Sequence, residues 1–215
     1  MKNFIRGCYG IIRYSKSDVN VPLFLLKSAY YHLSSKNIFA HHNTIIEGLR
    51  NVETHGQLFV GTPYVGFLNK HDRTFLNING KLLIEGTVVV GKGCRLDICK
   101  DAVCDLRGCS ITGQTNLIIA HRLEIGEGSV ISWGCELSDE DWHDIKYEGK
   151  QEKDRAIVIG KHVWIGSYVK ILKGVHIGDN SVIASGAVVT KSFTEKNTLI
   201  AGNPAEIIKR EVEWR

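Results

Sequence analysis

Apolar residues recur every six positions through the C-terminal part of the chain. Neither the 3.6-residue period of an α-helix nor the two-residue period of a flat strand produces a strict period of six. The fifth position of most of these hexads is again small or β-branched. The pattern therefore predicts short extended segments joined by regular corners. The first positions of the hexads are Ile159, Ile165, Ile171, Ile177, Ile183 and Val189.

Hexads of this kind can close into a triangular coil in which three hexads, about 18 residues, make one turn. Successive coils stack about 4.8 Å apart through parallel backbone hydrogen bonds, and the apolar first positions point inward. We therefore predict an all-β fold, a left-handed parallel β-helix, which is an exception to the usual right-handed crossover. Two upstream sets repeat in the same way: Ile78, Ile84, Val90 and Leu96, and then Ile119, Ile125, Ile131 and Leu137.

The three sets are out of phase with one another. The spacing from Leu96 to Ile119 is not a multiple of six, which predicts coils with insertions or irregular corners. The spacing from Ile125 to Ile159 breaks the period in the same way. We therefore predict that residues 138–156, SDEDWHDIKYEGKQEKDRA, leave the coil as an excursion loop.

The two ends of the chain lack the repeat. Asn20 and Pro22 suit the start of a helix, so we predict a short N-terminal helical cap within 1–36. Such a cap would cover the unpaired strand edges at the open end of the β-helix. The β-helix itself is predicted over 37–200. A C-terminal tail, 201–215, is expected to end in a short helix over 205–215.

Composition excludes several classes of function. The net charge of the chain is only +4 and no dense run of Lys or Arg occurs, so nucleic acid is not an expected partner. No segment is apolar enough for a signal peptide or an integral membrane span. The six cysteines form no CxxC pair, which argues against a zinc knuckle. We expect a cytoplasmic protein whose reduced cysteines are core side chains.

Residues 159–209 resemble the C-terminal half of the hexapeptide-repeat acyltransferases. The motifs HVWIG, GVHIGDNSVIASGAVVTK and AGNPAEIIK follow in that family's order and spacing. The chain is most similar to sugar and polysaccharide O-acetyltransferases of the maltose/galactoside and capsule or O-antigen type. The resemblance implies acetyl transfer from acetyl-CoA to a saccharide hydroxyl. It also implies a homotrimer with active sites between neighbouring β-helices.

The family's catalytic histidine falls on His143 of the excursion loop. A neutral imidazole can take the proton of a sugar hydroxyl as that oxygen attacks the thioester, because the pKa of histidine lies near the working pH. A nearby carboxylate would fix the tautomer and stabilise the imidazolium. Asp141, two positions before the histidine, is the expected carboxylate, and contact between Asp141 and the sugar is the alternative.

The resemblance also implies binding residues. For the coenzyme they are Ser167, Ser185, Thr190, Lys191 and Lys209, the two lysines being directed at its phosphates, although exposed surface charge is the alternative for each lysine. Glu206 departs from the family, in which a basic or polar residue often follows the NPA motif. For the acceptor, the resemblance implies Asn116. Trp142 and Asp139 are further candidates because they lie in or beside the excursion loop, and Trp142 and Trp133 each either stack on a sugar or pack in the core.

Three other functions stay open. An N-acetyltransferase acting on amino sugars or antibiotics would use the same fold. A metal-dependent hydratase of the gamma carbonic anhydrase kind needs histidines that converge between subunits, with a close pair in one stretch. No such pair stands in the regular hexads, and no metal is expected. A catalytically silent scaffold is the third, against which the loop histidine argues.

Overall fold

The chain winds through three sheets in rotation, which we name A, B and C. The structure, a computed structural model, describes residues 8, 9, 12, 19–62, 66–69, 71–144, 146, 148, 149 and 154–215. Within each sheet, every strand but the last of sheet A pairs in parallel with the strand one coil later. The result is the predicted left-handed parallel β-helix.

Sheet A contains β1 (Ile38–Ala40), β4 (Gln57–Thr62), β7 (Thr87–Gly91), β10 (Ser110–Ile111), β13 (Val130–Ile131), β16 (Trp164–Ile165), β19 (Val182–Ile183), β21 (Leu199–Gly202) and β22 (Ala205–Lys209). Sheet B contains β2 (Thr44–Glu47), β5 (Thr74–Ile78), β8 (Arg95–Ile98), β11 (Asn116–Ile119), β14 (Glu136–Ser138), β17 (Lys170–Leu172) and β20 (Val188–Val189). Sheet C contains β3 (Val52–Thr54), β6 (Lys81–Glu85), β9 (Val103–Arg107), β12 (Arg122–Ile125), β15 (Ile157–Ile159) and β18 (His176–Ile177). We name the edges of this prism by the sheets they join: the A–B, B–C and C–A corners.

The first residues of the hexads stack on one another inside the prism. In sheet A the column consists of Ile111, Ile131, Ile165, Ile183 and Ile200, each paired with the next and each fully buried. Stacking identical β-branched side chains in register excludes water from the axis, and this burial is the main force that holds the coils together. The cysteines Cys94, Cys104, Cys109 and Cys135 are free thiols in the same core.

Coil length explains the phase slips. Trp164 pairs with Val182 at a spacing of three whole hexads, whereas the coil that joins Val89 to its partner Ser110 is longer. The N-terminal coils therefore carry extra residues at their corners. The step from Val130 to its partner Trp164 is longer still because it contains the excursion loop, which leaves the coil after Ser138 and returns at Ile157.

A helix, α1 (Val21–Leu33), covers the N-terminal end of the prism as predicted. The side chain of Asn20 accepts a hydrogen bond from the Leu23 amide at 3.1 Å, which makes it the N-cap. Lys27 Nζ donates to the carbonyl oxygens of His42 and Thr44 at 2.7 and 2.8 Å, so the helix also satisfies carbonyl groups at the open edge. No helix among the described residues is long and apolar enough to cross a membrane.

The predicted C-terminal helix is wrong. After a turn at Gly202, β22 runs back antiparallel to β21, the strand that ends the parallel part of sheet A. The edge of β21 offers unpaired backbone groups, and pairing with β22 satisfies them, which outweighs the local helix propensity of this segment. The tail then crosses to the C–A corner, where the Trp214 ring stacks on His162 with ring centroids 4.1 Å apart.

Candidate active site

The excursion loop leaves the prism at the B–C corner, between β14 and β15. His143 lies near its start and is exposed, and no described residue forms a hydrogen bond with its ring. Trp142 is 55% exposed and has a left-handed backbone with φ of +62°. The backbone turns sharply there, so the imidazole stands on an exposed turn just outside the wall. A loop position of this kind is open to a solute that lies along the B–C corner.

Asp139 is fully buried at the root of the loop. Its carboxylate accepts hydrogen bonds from the amides of Ala120, His121 and Arg122 at 2.6, 2.9 and 2.8 Å. These amides belong to the same corner of the preceding coil. Both carboxylate oxygens are thus held inside the wall, so the structure gives Asp139 a structural position instead of the predicted contact with substrate.

Glu140, which sequence reasoning did not single out, connects the two ends of the loop. One of its oxygens lies 2.9 Å from His121 Nε2 and also contacts the guanidinium of Arg155, at the C-terminal end of the loop. The hydrogen bond with His121, together with the Asp141 amide and the charge of Arg155, lowers the pKa of Glu140 from 4.5 to about 2. The only sequence signal for this residue was its place in the acidic run.

Asp141 forms an ion pair with Lys173, which lies at the B–C corner of the following coil. Both side chains are partly exposed, at 42% and 37%. The structure shows no hydrogen bond between Asp141 and His143, the contact that the sequence predicted as one alternative.

The residues predicted to bind the coenzyme fall at two different corners. Ser167 and Ser185 stack at the A–B corner with their hydroxyl oxygens 3.2 Å apart. A side chain at Gly166 would lie 2.6 Å from the Ser185 amide nitrogen, so the coil requires glycine there. Thr190 and Lys191 instead lie at the B–C corner, directly after β20. Ser185 and Thr190 are five positions apart, so their Cα atoms are separated by no more than about 18 Å.

The two predicted phosphate ligands differ in their surroundings. Lys191 Nζ lies 2.6 Å from a carboxylate oxygen of Glu206 and 5.6 Å from the centroid of the Phe193 ring. Glu206, which departs from the family pattern, therefore offsets the charge of Lys191. Lys209 is exposed at the end of β22.

The remaining predicted acceptor residues lie further from the loop. Asn116 stands half-buried at the start of β11, paired with Arg95 on one side and Glu136 on the other. Trp133 is half-buried at the A–B corner and contacts Phe67 edge-on, with centroids 5.8 Å apart. Of the two tryptophans considered for sugar stacking, only Trp142 shares the loop of His143.

Within the described part of one chain, no three His, Cys, Asp or Glu side chains come together as a metal ion would require. The histidines on the prism have other contacts there. His162 lies under Trp214 at the C–A corner, and His121 contacts Glu140.

Comparison with known proteins agrees with this architecture. The family model described as bacterial transferase hexapeptide (six repeats) matches residues 156–191. An uncharacterized 24.8 kDa protein in the cps region of Klebsiella pneumoniae is 37% identical over 182 residues, which cover 84% of this chain and 82% of that protein. The galactoside O-acetyltransferase of Escherichia coli is 45% identical over 73 residues, 34% of either chain.

Among solved structures, the polySia-specific acetyltransferase NeuO matches with a TM-score of 0.49 and 26% identity, over 83% of this chain and 89% of that one. The alignment with the galactoside enzyme spans only a third of its length, whereas the Klebsiella protein aligns over most of both chains. On that long alignment and the match to the repeat model, the chain belongs to the bacterial hexapeptide-repeat transferase family.

Proposed function

We propose that the protein is an acetyl-CoA-dependent O-acetyltransferase that acts on a hydroxyl of a saccharide, either a surface polysaccharide or its precursor. One observation carries the proposal. The loop that interrupts the repeat holds an exposed histidine at the same corner as Lys173, Thr190 and Lys191, on the following coils. A relative from Staphylococcus aureus is named a putative acetyltransferase, and the galactoside enzyme of Escherichia coli is named for O-acetylation of a sugar.

In the proposed reaction His143 is the general base. Its neutral imidazole takes the proton of the acceptor hydroxyl while that oxygen forms a bond to the thioester carbonyl carbon. The tetrahedral intermediate collapses, the carbon–sulfur bond breaks, and the imidazolium returns the proton to the departing thiolate of CoA. The sugar ester and the CoA thiol are the products, so no acyl-enzyme and no metal ion are needed.

The coenzyme would be held by the small side chains and backbone amides at the corners. Ser167 and Ser185 offer a narrow polar column for the pantetheine arm, and Thr190 continues it at the other corner. Lys191 and Lys209 would bind the phosphates by charge pairing. To bind a phosphate, Lys191 must first break its ion pair with Glu206. That ion pair is exposed to water and therefore weak.

The acceptor would approach the loop from outside the prism. Trp142 presents a half-exposed ring beside His143, which suits stacking against the apolar face of a pyranose. Asn116 would supply amide hydrogen bonds from the outer face of sheet B. The fully occupied carboxylate of Asp139 is left out of this set.

A homotrimer would join the two corners into one site. The outer face of sheet A is apolar at successive coils, where Val130, Trp164, Val182 and Leu199 stand in register. A contiguous apolar face of this kind is typical of a contact between proteins. Packing it against sheet B or sheet C of a second copy would create a cleft with walls from two chains, one supplying the A–B corner and the other the B–C corner with His143.

The test is acetyl-CoA turnover with a panel of saccharides, followed as free thiol. We expect thiol release with a hydroxyl acceptor, and a loss of roughly 10²- to 10⁴-fold in His143→Ala because the general base is removed. His55→Ala, which removes another exposed histidine far from the loop, is the control and should leave the rate unchanged. Full activity in His143→Ala would exclude the proposed base, and turnover only with amino sugars would identify an N-acetyltransferase.

A further inference from the structure

Three consecutive carboxylates at the start of the loop contact three different parts of the fold. Asp139 accepts the amides of residues 120–122, in the preceding coil. Glu140 contacts both His121 of that coil and Arg155 at the far end of the loop. Asp141 pairs with Lys173 of the following coil. Each acidic side chain therefore ties the loop to a different neighbour.

His143 comes just after this triplet, and no described residue holds its ring by a hydrogen bond. The position of the imidazole thus depends on the backbone that carries it. A long chain segment has many conformations available when only its ends are fixed. A general base must nevertheless stay within hydrogen-bonding distance of its substrate, and a displacement of about 1 Å can cost about 10²-fold in rate.

We infer that Glu140, Asp141 and Lys173 are positioning residues for His143, which act by clamping the start of the loop to the coils on either side and to Arg155. This inference rests on the proposed role of His143. Asp139 fixes the start of the loop inside the wall. The contacts of Glu140 and Asp141 prevent the loop from rotating about that point. Charge-assisted contacts suit this task because they are short and directional.

The low pKa of Glu140 agrees with the geometry. Its side chain is 16% exposed, so the contacts with His121 and Arg155 are only partly screened by water. Glu140 therefore stays ionised at any pH at which a histidine base can work. The pair of Asp141 and Lys173 is more exposed, so it adds little to stability. Its role is to fix the position of the loop.

The experiment compares Glu140→Gln and Lys173→Met, alone and combined with His143→Ala. Both preserve side-chain size and avoid the buried Asp139. We expect each alone to lower kcat about 10- to 100-fold with the KM for acetyl-CoA unchanged. In the His143→Ala background neither should lower the rate further, because residues that act through the base have no effect once it is gone. Lys173→Arg, which keeps the charge, should retain activity.

One further readout and a matched control separate this role from a general loss of stability. Hydrogen exchange of the peptide carrying Trp142 and His143 should accelerate in Glu140→Gln and Lys173→Met, measured well below the melting temperature of each variant. Lys196→Met is the matched control, since it removes an equivalent lysine–aspartate pair, with Asp179 at 2.7 Å, at the C–A corner. It should change neither kcat nor exchange in the loop.

Losses that multiply with that of His143→Ala, or unchanged exchange in the loop, would overturn the inference. Wild-type activity in His143→Ala would instead reject the proposed base. In that case the hydrogen-exchange measurement alone decides whether the three carboxylates hold the loop in place.

Discussion

The carboxyl group of Glu140 has the largest described pKa shift of any acidic side chain, and the cause is local. Its hydrogen bond with His121 comes first, followed in effect by the Asp141 amide and the charge of Arg155, against an opposing effect of burial. These contacts favour the ionised carboxylate and burial disfavours it, and both exist only when the loop is folded. The unfolded chain keeps the ordinary value of 4.5.

Because the folded pKa is lower than the unfolded one, ionised Glu140 stabilises the folded loop fully above pH 4.5. That contribution is lost as the pH falls through about 2. We expect the carboxyl carbon of Glu140 to titrate near pH 2 by ¹³C NMR, and its midpoint to rise in His121→Ala. His55→Ala should leave the midpoint where it is. A wild-type midpoint near 4.5 would contradict the described contact.

Many strands of the β-helix alternate between a buried and an outward side chain. In β12, Ile125 is fully buried between Leu106 and Ile159, while Glu124 points outward and pairs with Arg122 at 2.6 Å. Packing in the column of inward residues is close because an apolar side chain recurs at each rung. A gap at one rung therefore leaves both neighbouring rungs without contacts.

We expect Ile125→Ala to lower the free energy of unfolding by about 2–5 kcal/mol, since it leaves a cavity in the stack. Glu124→Ala, at the adjacent position, should cost no more than about 1 kcal/mol because it removes only a surface ion pair. Urea denaturation at equal protein concentration measures both values. Equal costs for the two variants would mean that the inward and outward faces have been assigned wrongly.

The three faces of the prism differ in chemistry. The outward residues of sheet A are mostly apolar, whereas those of sheet B include Arg95, Glu136 and Lys170. The two groups of predicted coenzyme residues lie on opposite edges of sheet B. If sheet A of one chain packed against a sheet of its neighbour that ends at the B–C corner, the two chains would contribute different corners to each site.

A mixture of two inactive variants tests that assembly. His143→Ala removes the base at the B–C corner, and Ser185→Trp fills the A–B corner with a bulky ring. Co-expressed, they should recover roughly a quarter of wild-type activity, because that share of random neighbours pairs two intact corners. Light scattering should give three times the chain mass. Activity that stays absent in the mixture, or a monomer mass, would contradict a shared site.

Much of the fold follows from local pattern. The period of six predicted the coil, the breaks in phase located the extra residues and the loop, and Asn20 marked the helix start. These features depend on residues within one hexad or one helical turn, so the sequence displays them directly. The helix expected over 205–215 failed because the edge of sheet A, formed far upstream, offered that segment a partner.

The candidate site likewise has one part that the sequence predicted and another that only the folded chain revealed. The sequence pointed to His143 as the candidate base, because the family resemblance places the catalytic histidine where the repeat stops. It misplaced Asp139, whose carboxylate is occupied by the amides of residues 120–122, and it was silent on Lys173 as the partner of Asp141. Those partners are distant along the chain, and only its coiling stacks them on adjacent rungs. A period in the sequence determines which residues face inward, but contacts between rungs depend on coil length and register, which exist only in the folded prism.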